Sequence, residues 1–220
     1  MPNDNSEAIC GLCQKGLTAR GIGRHLSSCL KKNLYRIADD KKEGPGILHL
    51  KVHEGYSGSI YWLYLAVNRD IKLSTLDSFL RKIWLECCGH MSAFFAGSPF
   101  GTEELSMNSR IDRHLAPKHG LSYIYDFGSS TTLAIDCVGE YPGKLRKNDK
   151  ITILSRNEDP QILCDVCQSE TAESICHECG MEDGGAYLCS RCLEKHKCGK
   201  EMLLPVMNSP RCGVCGYDGS

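Results

Sequence analysis

No stretch of this sequence is apolar for long enough to cross a bilayer as a helix. The longest such run, Ile60–Val67, has eight residues, where roughly 20 are needed. The opening MPNDNSEAIC has neither the basic nor the apolar segment of an export signal. A cytoplasmic protein with no membrane partner is therefore expected. An excess of one charge is also lacking: 26 Lys and Arg against 27 Asp and Glu leave a formal net charge of −1. No overall basicity marks a nucleic-acid binder, and no acidic block marks a solvating tail. There is no glycine-rich phosphate loop, strand lysine or HRD sequence, so Asp126-Phe127-Gly128 is not a kinase metal motif.

What the chain does have is cysteine, 15 in 220 residues. A reducing compartment keeps thiols free, so disulfides do not explain them, and metal binding does. Their distribution divides the chain. Cys10, Cys13 and Cys29 cluster near one end and nine more lie between Cys164 and Cys215, with only Cys87, Cys88 and Cys137 between the groups. The expected organisation is a zinc finger over 1–36, a linker over 37–46 containing DDKKEGPG, a conventional domain over 47–156, and a cysteine-rich two-zinc module over 157–220.

The first group reads C-x2-C-x11-H-x3-C. A CxxC places two thiolates on a tight knuckle, and a His and a Cys four apart on a helix share one face. Cys10, Cys13, His25 and Cys29 can therefore converge tetrahedrally on one Zn²⁺ in a ββα-type finger, with Leu17, Ile22, Leu26 and Leu30 as its small core. Arg20, Arg24 and Lys31 recur on the helix face away from the ligands, the side on which a finger presents phosphate and base contacts. They are the candidate nucleic-acid contacts, set against the plainer reading of a solvated helix face.

The second group spaces Cys164/Cys167, Cys176/Cys179 and Cys189/Cys192 as three CxxC knuckles, followed by His196, Cys198, Cys212 and Cys215. Knuckles this close together often cross-brace, in the manner of RING and B-box modules. The expected sites are Cys164, Cys167, Cys189 and Cys192 around one ion, and Cys176 and Cys179 around another. The second is completed by Cys198 and Cys215, or in a second choice by His196 and Cys198; Cys212 is read as a bystander. Three structural Zn²⁺ per chain follow. Region 157–220 carries 11 Asp and Glu against 5 Lys and Arg, which favours a protein partner over nucleic acid for this module.

Between the two groups, ILHLKVH and SIYWLYLAVN read as paired strands, with His49 and His53 on a half-exposed face. A capping box at Ser74 and Asp77 opens an amphipathic helix carrying Leu76, Phe79, Leu80, Ile83, Trp84 and Cys87. HMSAFFAG, LSYIYDFG, TTLAIDCVG and KITILSR read as further strands. Strands outnumber helices without regular alternation, so the fold class is α+β: a mainly antiparallel sheet with one main amphipathic helix, flanked by small zinc-stabilised modules.

The order YWLYLAVNRDIKLSTLDSFLRKIWLECCGHMSAF, then LSYIYDFG, resembles the family named for the third open reading frame of a root-inducing plasmid, also labelled insertion-element TnpR-like passenger proteins. The resemblance covers about Ile47–Arg156, with His90 and Phe94 in its H-x-x-x-F strand and Tyr125–Gly128 at its YDFG strand end. It implies an α+β domain and little chemistry; no resolvase activity follows from it.

The leading expectation is a non-enzymatic zinc-binding adaptor or regulatory protein of mobile-element or host origin that contacts a protein partner. One alternative is a nucleic-acid-binding protein acting through residues 10–32. A second is a cysteine-dependent enzyme with Cys87, Cys88 and His90 as thiolates and base beside Asp126. No residue is given a catalytic role, because Cys87 and Cys88 read as small buried hydrophobes at a helix end and His90 as a satisfied histidine.

Overall fold

Apolar alternation over Ile47–Arg156 resolves into one antiparallel sheet. The computed structural model describes residues 7–39, 44–55, 60–97, 103–146, 149–179 and 186–219. Residues 40–43 of the expected linker, and 56–59 of the loop between the first two core strands, lie outside them. Two compact units are present, one built from 1–81 and 91–158, the other from 82–90 and 159–220. The fold is α+β.

The first unit begins with β1 (Glu7–Ile9) and β2 (Gly16–Thr18), an antiparallel pair, followed by α1 (Ala19–Asn33). The sheet strands are β3 (Ile47–Glu54), β4 (Trp62–Asn68), β5 (Ser92–Ala96), β6 (Glu104–Leu105), β7 (Gly120–Tyr125), β8 (Thr131–Tyr141) and β9 (Ile151–Arg156). Among the described residues their order is β6-β5-β7-β8-β3-β4-β9, every neighbour antiparallel. All seven residues of β4 are buried, so this strand is covered on both faces.

One cover is α1. Ile22, Leu26 and Leu30 recur at helical spacing and are fully buried, in a single apolar cluster with Trp62, Tyr64, Ala66, Ile47, Leu145 and Leu154. Backbone and side-chain bonds join the finger to the sheet: Gly11 N–H donates to Leu154 O (2.8 Å), Ser155 Oγ to Ile9 O (2.8 Å) and Tyr141 OH to Ser27 O (3.1 Å). The finger and the sheet therefore share one core. His49, expected half-exposed by strand alternation, is fully buried between the rings of Tyr64 and Tyr141 (centroids 5.6 and 6.5 Å). These are the same two tyrosines that border α1, and it is the finger that turns this sheet face inward.

The amphipathic helix is shorter than the sequence suggests. α2 (Leu73–Leu80) has Lys72 at its N-cap without a side-chain cap, and continues as a π turn over Arg81–Leu85. Asp77 does not close a capping box. Its carboxylate accepts from Ser92 Oγ (2.6 Å) and Tyr123 OH (2.7 Å) and pairs with Arg81 Nε (3.0 Å), so partners from β5 and β7 have taken the acceptor that a local cap would use. Because the helical path stops at Leu85, Cys87 and Cys88 are not on a helix. Cys87 is half-buried and Cys88 exposed, which corrects their reading as buried hydrophobes.

The second unit holds β10 (Ser174–Cys176), β11 (Tyr187–Leu188) and β12 (Leu203–Pro205) in the order β11-β10-β12, with short helical turns that include Ser190–Leu193 and Lys200–Met202. Its apolar cluster consists of Cys176, Ala186 and Leu188 with Cys179, Cys192, Leu193, Cys198 and Leu203 packed against it. Half of these residues are cysteines. A core this small does not stabilise a module without a metal or disulfides.

Candidate metal centres

Every cysteine among the described residues is a free thiol, and side chains gather into four sets whose ligand atoms lie within 4.8 Å of one another. The first set is Cys10, Cys13, His25 and Cys29. Cys10 and Cys13 come from the β1–β2 turn; His25 and Cys29 come from α1, where a spacing of four puts them on one face. Cys10 and Cys29 sulfurs stand 3.9 Å apart, Cys13 Sγ lies 3.3 Å from His25 Nε2, and Asn33 Nδ2 donates to Cys29 Sγ (3.2 Å).

In the second unit, Cys164, Cys167, Cys189 and Cys192 form one set, and Cys176, Cys179, His196 and Cys198 another. Cys167 and Cys189 sulfurs are 3.9 Å apart; Cys179 Sγ stands 3.6 Å from Cys198 Sγ and 3.7 Å from His196 Nε2. Cys215 does not join Cys176 and Cys179, the first choice made from spacing. It lies with Cys87, Cys88 and His90 in a fourth set, while His196 occupies the remaining corner beside Cys198. Cys212 stands outside all four sets; its sulfur accepts from Met207 N–H (3.3 Å).

These distances can be tested against a metal. A tetrahedral zinc with bonds of about 2.3 Å to sulfur and 2.0–2.1 Å to nitrogen has ligand–ligand edges of about 3.5–3.8 Å. The sulfur–sulfur contacts of 3.6–3.9 Å lie close to this, the sulfur–nitrogen contacts are tighter at 3.0–3.7 Å, and all exceed by far the roughly 2.05 Å of a disulfide. Four sulfur or nitrogen donors with no carboxylate suit Zn²⁺ better than Mg²⁺ or Ca²⁺. The residues present fit the ion.

Two knuckles are built identically although they lie in different units. In CGLCQ and CDVCQ the residue after the second cysteine takes a left-handed backbone, Gln14 at φ 63 and Gln168 at φ 52. Each glutamine N–H donates to the first cysteine's carbonyl, Cys10 (2.8 Å) and Cys164 (2.9 Å), and each side-chain amide donates to the residue after that cysteine, Gly11 (3.1 Å) and Asp165 (3.1 Å). The left-handed turn folds the chain back so that both thiols of the pair point inward. No spacing rule anticipated the glutamines; the shared CxxCQ is the signal that could have found them.

Electrostatics within a set are uneven without a cation. Ser169, through its hydroxyl and its backbone N–H, holds the Cys167 thiol down at about 5, while burial pushes Cys192 of the same set up to about 12. Four thiolates this close repel one another, so the metal-free set retains protons that a divalent ion displaces. A guanidinium stands by: Arg191 interacts with Cys167 and pairs with Glu170 (3.1 Å).

The basic residues on the finger are placed simply. Arg20, Arg24 and Lys31 are all exposed on α1, along with Lys32. No helix among the described residues is long and apolar enough to cross a membrane.

No family model and no curated protein matches this sequence. Among solved structures, the chain is similar to a protein of unknown function, MM3350 from Methanosarcina mazei Go1, at 14% identity and a TM-score of 0.42, over 50% of this chain and 68% of that one.

Proposed function

We propose that this protein is a non-enzymatic zinc-binding adaptor, in which metal ions fix small modules that contact a protein partner. The observation that carries this reading is closure. Each set offers four Cys or His donors that could hold an ion, which would leave a four-coordinate ion no position for water or substrate, the mark of structural rather than catalytic zinc. The cysteine-enzyme alternative is disfavoured because Cys87, Cys88 and His90 gather with Cys215 into one of these sets, where their donor atoms would face an ion rather than a substrate.

One observation favours nucleic acid as a second reading, the exposure of Arg20, Arg24 and Lys31 on one helix. A gel-shift titration at two salt concentrations separates the two. Under the adaptor reading no salt-dependent binding to DNA or RNA is found. Under the second, Arg20→Ala/Arg24→Ala/Lys31→Ala keeps its zinc and flattens the log-affinity against log-salt slope by about 0.7–0.9 per lost phosphate contact. Such a flattened slope would overturn the adaptor reading.

A further inference from the structure

The segment WLECCGH and the tail NSPRCGVCGY are separated by more than a hundred residues, yet they meet in the second unit. After the π turn ends at Leu85, Gly89 adopts φ +77, which bends the chain so that Cys87 and Cys88 sulfurs stand 3.8 Å apart and His90 Nε2 returns to within 3.0 Å of Cys88 Sγ. The tail is held against this bend from within: Ser209 Oγ donates to Trp84 O (2.6 Å), and Arg211, fully buried, directs Nη2 at Cys87 Sγ (3.7 Å). Gly213, Cys215 and Gly216 then all take left-handed backbone angles (φ 77, 51 and 70). For Cys215 that conformation is unfavourable, and it persists only where surroundings impose it. Its effect is to bring Cys215 Sγ to 3.2 Å from His90 Nε2 and 3.9 Å from Cys88 Sγ.

We propose that Cys87, Cys88, His90 and Cys215 form a fourth binding site for a soft divalent metal, Zn²⁺ by its donor set, and that its ion is the exchangeable one. The charge is consistent. Three thiolates, a neutral imidazole and a divalent cation leave a net −1, and the buried Arg211 guanidinium beside Cys87 supplies the opposite charge. The lack of any buried ligand distinguishes this site from the others. Each of the other three has at least one buried thiol, Cys10 and Cys29, Cys164 and Cys189, or Cys176, whereas here Cys88 and Cys215 are exposed and Cys87 is half-buried. A chelator reaches this ion without opening a core, so it leaves first. Cys212, the first cysteine of the tail's own CxxC, is not a ligand.

The test uses the full chain, loaded with zinc and desalted. Elemental analysis should give four ions for wild type, three for Cys215→Ser and for Cys88→Ser, and four for Cys212→Ser. With a chromogenic chelator, wild type should release one equivalent ahead of the rest, and that early equivalent should be missing from both ligand variants. If Cys215→Ser loses its fold, Cys88→Ser decides, because Cys88 is exposed and belongs to no core. Four ions retained in Cys88→Ser would overturn the site, as would three ions in both wild type and variants, a result that leaves the three closed sets and the adaptor reading standing. Release of all equivalents at one rate would overturn the claim of exchange.

Discussion

The buried imidazole of His49 makes a quantitative prediction about acid stability. It lies under the finger, fully buried, and burial pushes its pKa down to about 4 from an ordinary 6.5. Between these values the folded chain keeps the ring neutral while the unfolded chain binds a proton. Unfolding therefore takes up protons, and stability rises with pH across that window. The contribution is complete above about pH 6.5 and is lost as pH falls toward 4. At pH 5 the loss is about 2 kcal/mol, from 1.36 kcal/mol for each unit of separation. His49→Leu removes this dependence, keeps most of the volume and removes two buried ring nitrogens that have no hydrogen-bond partner, so the variant should be at least as stable as wild type at pH 7.5, and its advantage should grow by about 2 kcal/mol on going to pH 5. Urea unfolding of both at both pH values gives the double difference, in which acid loss of zinc, common to both chains, cancels. Parallel losses in the two proteins would refute the argument.

Leu26→Ala empties a position in the core shared by finger and sheet and should cost about 2–5 kcal/mol. Hydrogen exchange should show the loss in β4 and β9 as well as in α1, and unchanged protection in the strands would mean that the two do not share a core. Gln168→Val places a β-branched residue on a left-handed backbone, which costs about 1–3 kcal/mol, and should speed zinc release from the Cys164 set, whereas Gln168→Gly should not; equal release from both would show that the turn does not hold the knuckle.

Local signals were legible and distant ones were not. Strand alternation marks β3, β4, β7, β8 and β9, and cysteine spacing marks ten cysteines and His25 that stand in three sets, with His196 only the second choice beside Cys198, because ligands on one knuckle or one helical turn are placed by a few backbone angles. Spacing groups Cys215 with its sequence neighbours, because no local cue marks the bend at Gly89, which it meets only in the folded second unit. The i+11 spacing of Cys87 continues the apolar helix pattern, but the helix ends earlier. Alternation alone puts His49 on a half-exposed face, since one strand's pattern does not register a finger folding over it. Asp77 matched a capping box, and the partners that displaced that role come from strands 15 and 46 residues further on.

The second unit's discontinuity also has a consequence during synthesis. Trp84 is fully buried, and its carbonyl is bonded by Ser209, 125 residues later. At roughly 5–20 residues per second, the ribosome delivers that partner on the order of 10 s after the tryptophan emerges. For that interval the stretch from Lys82 to His90, with its adjacent thiols, lacks the partners that Ser209, Arg211 and Cys215 supply. The second unit therefore closes only after a segment made long before it has waited for its partner.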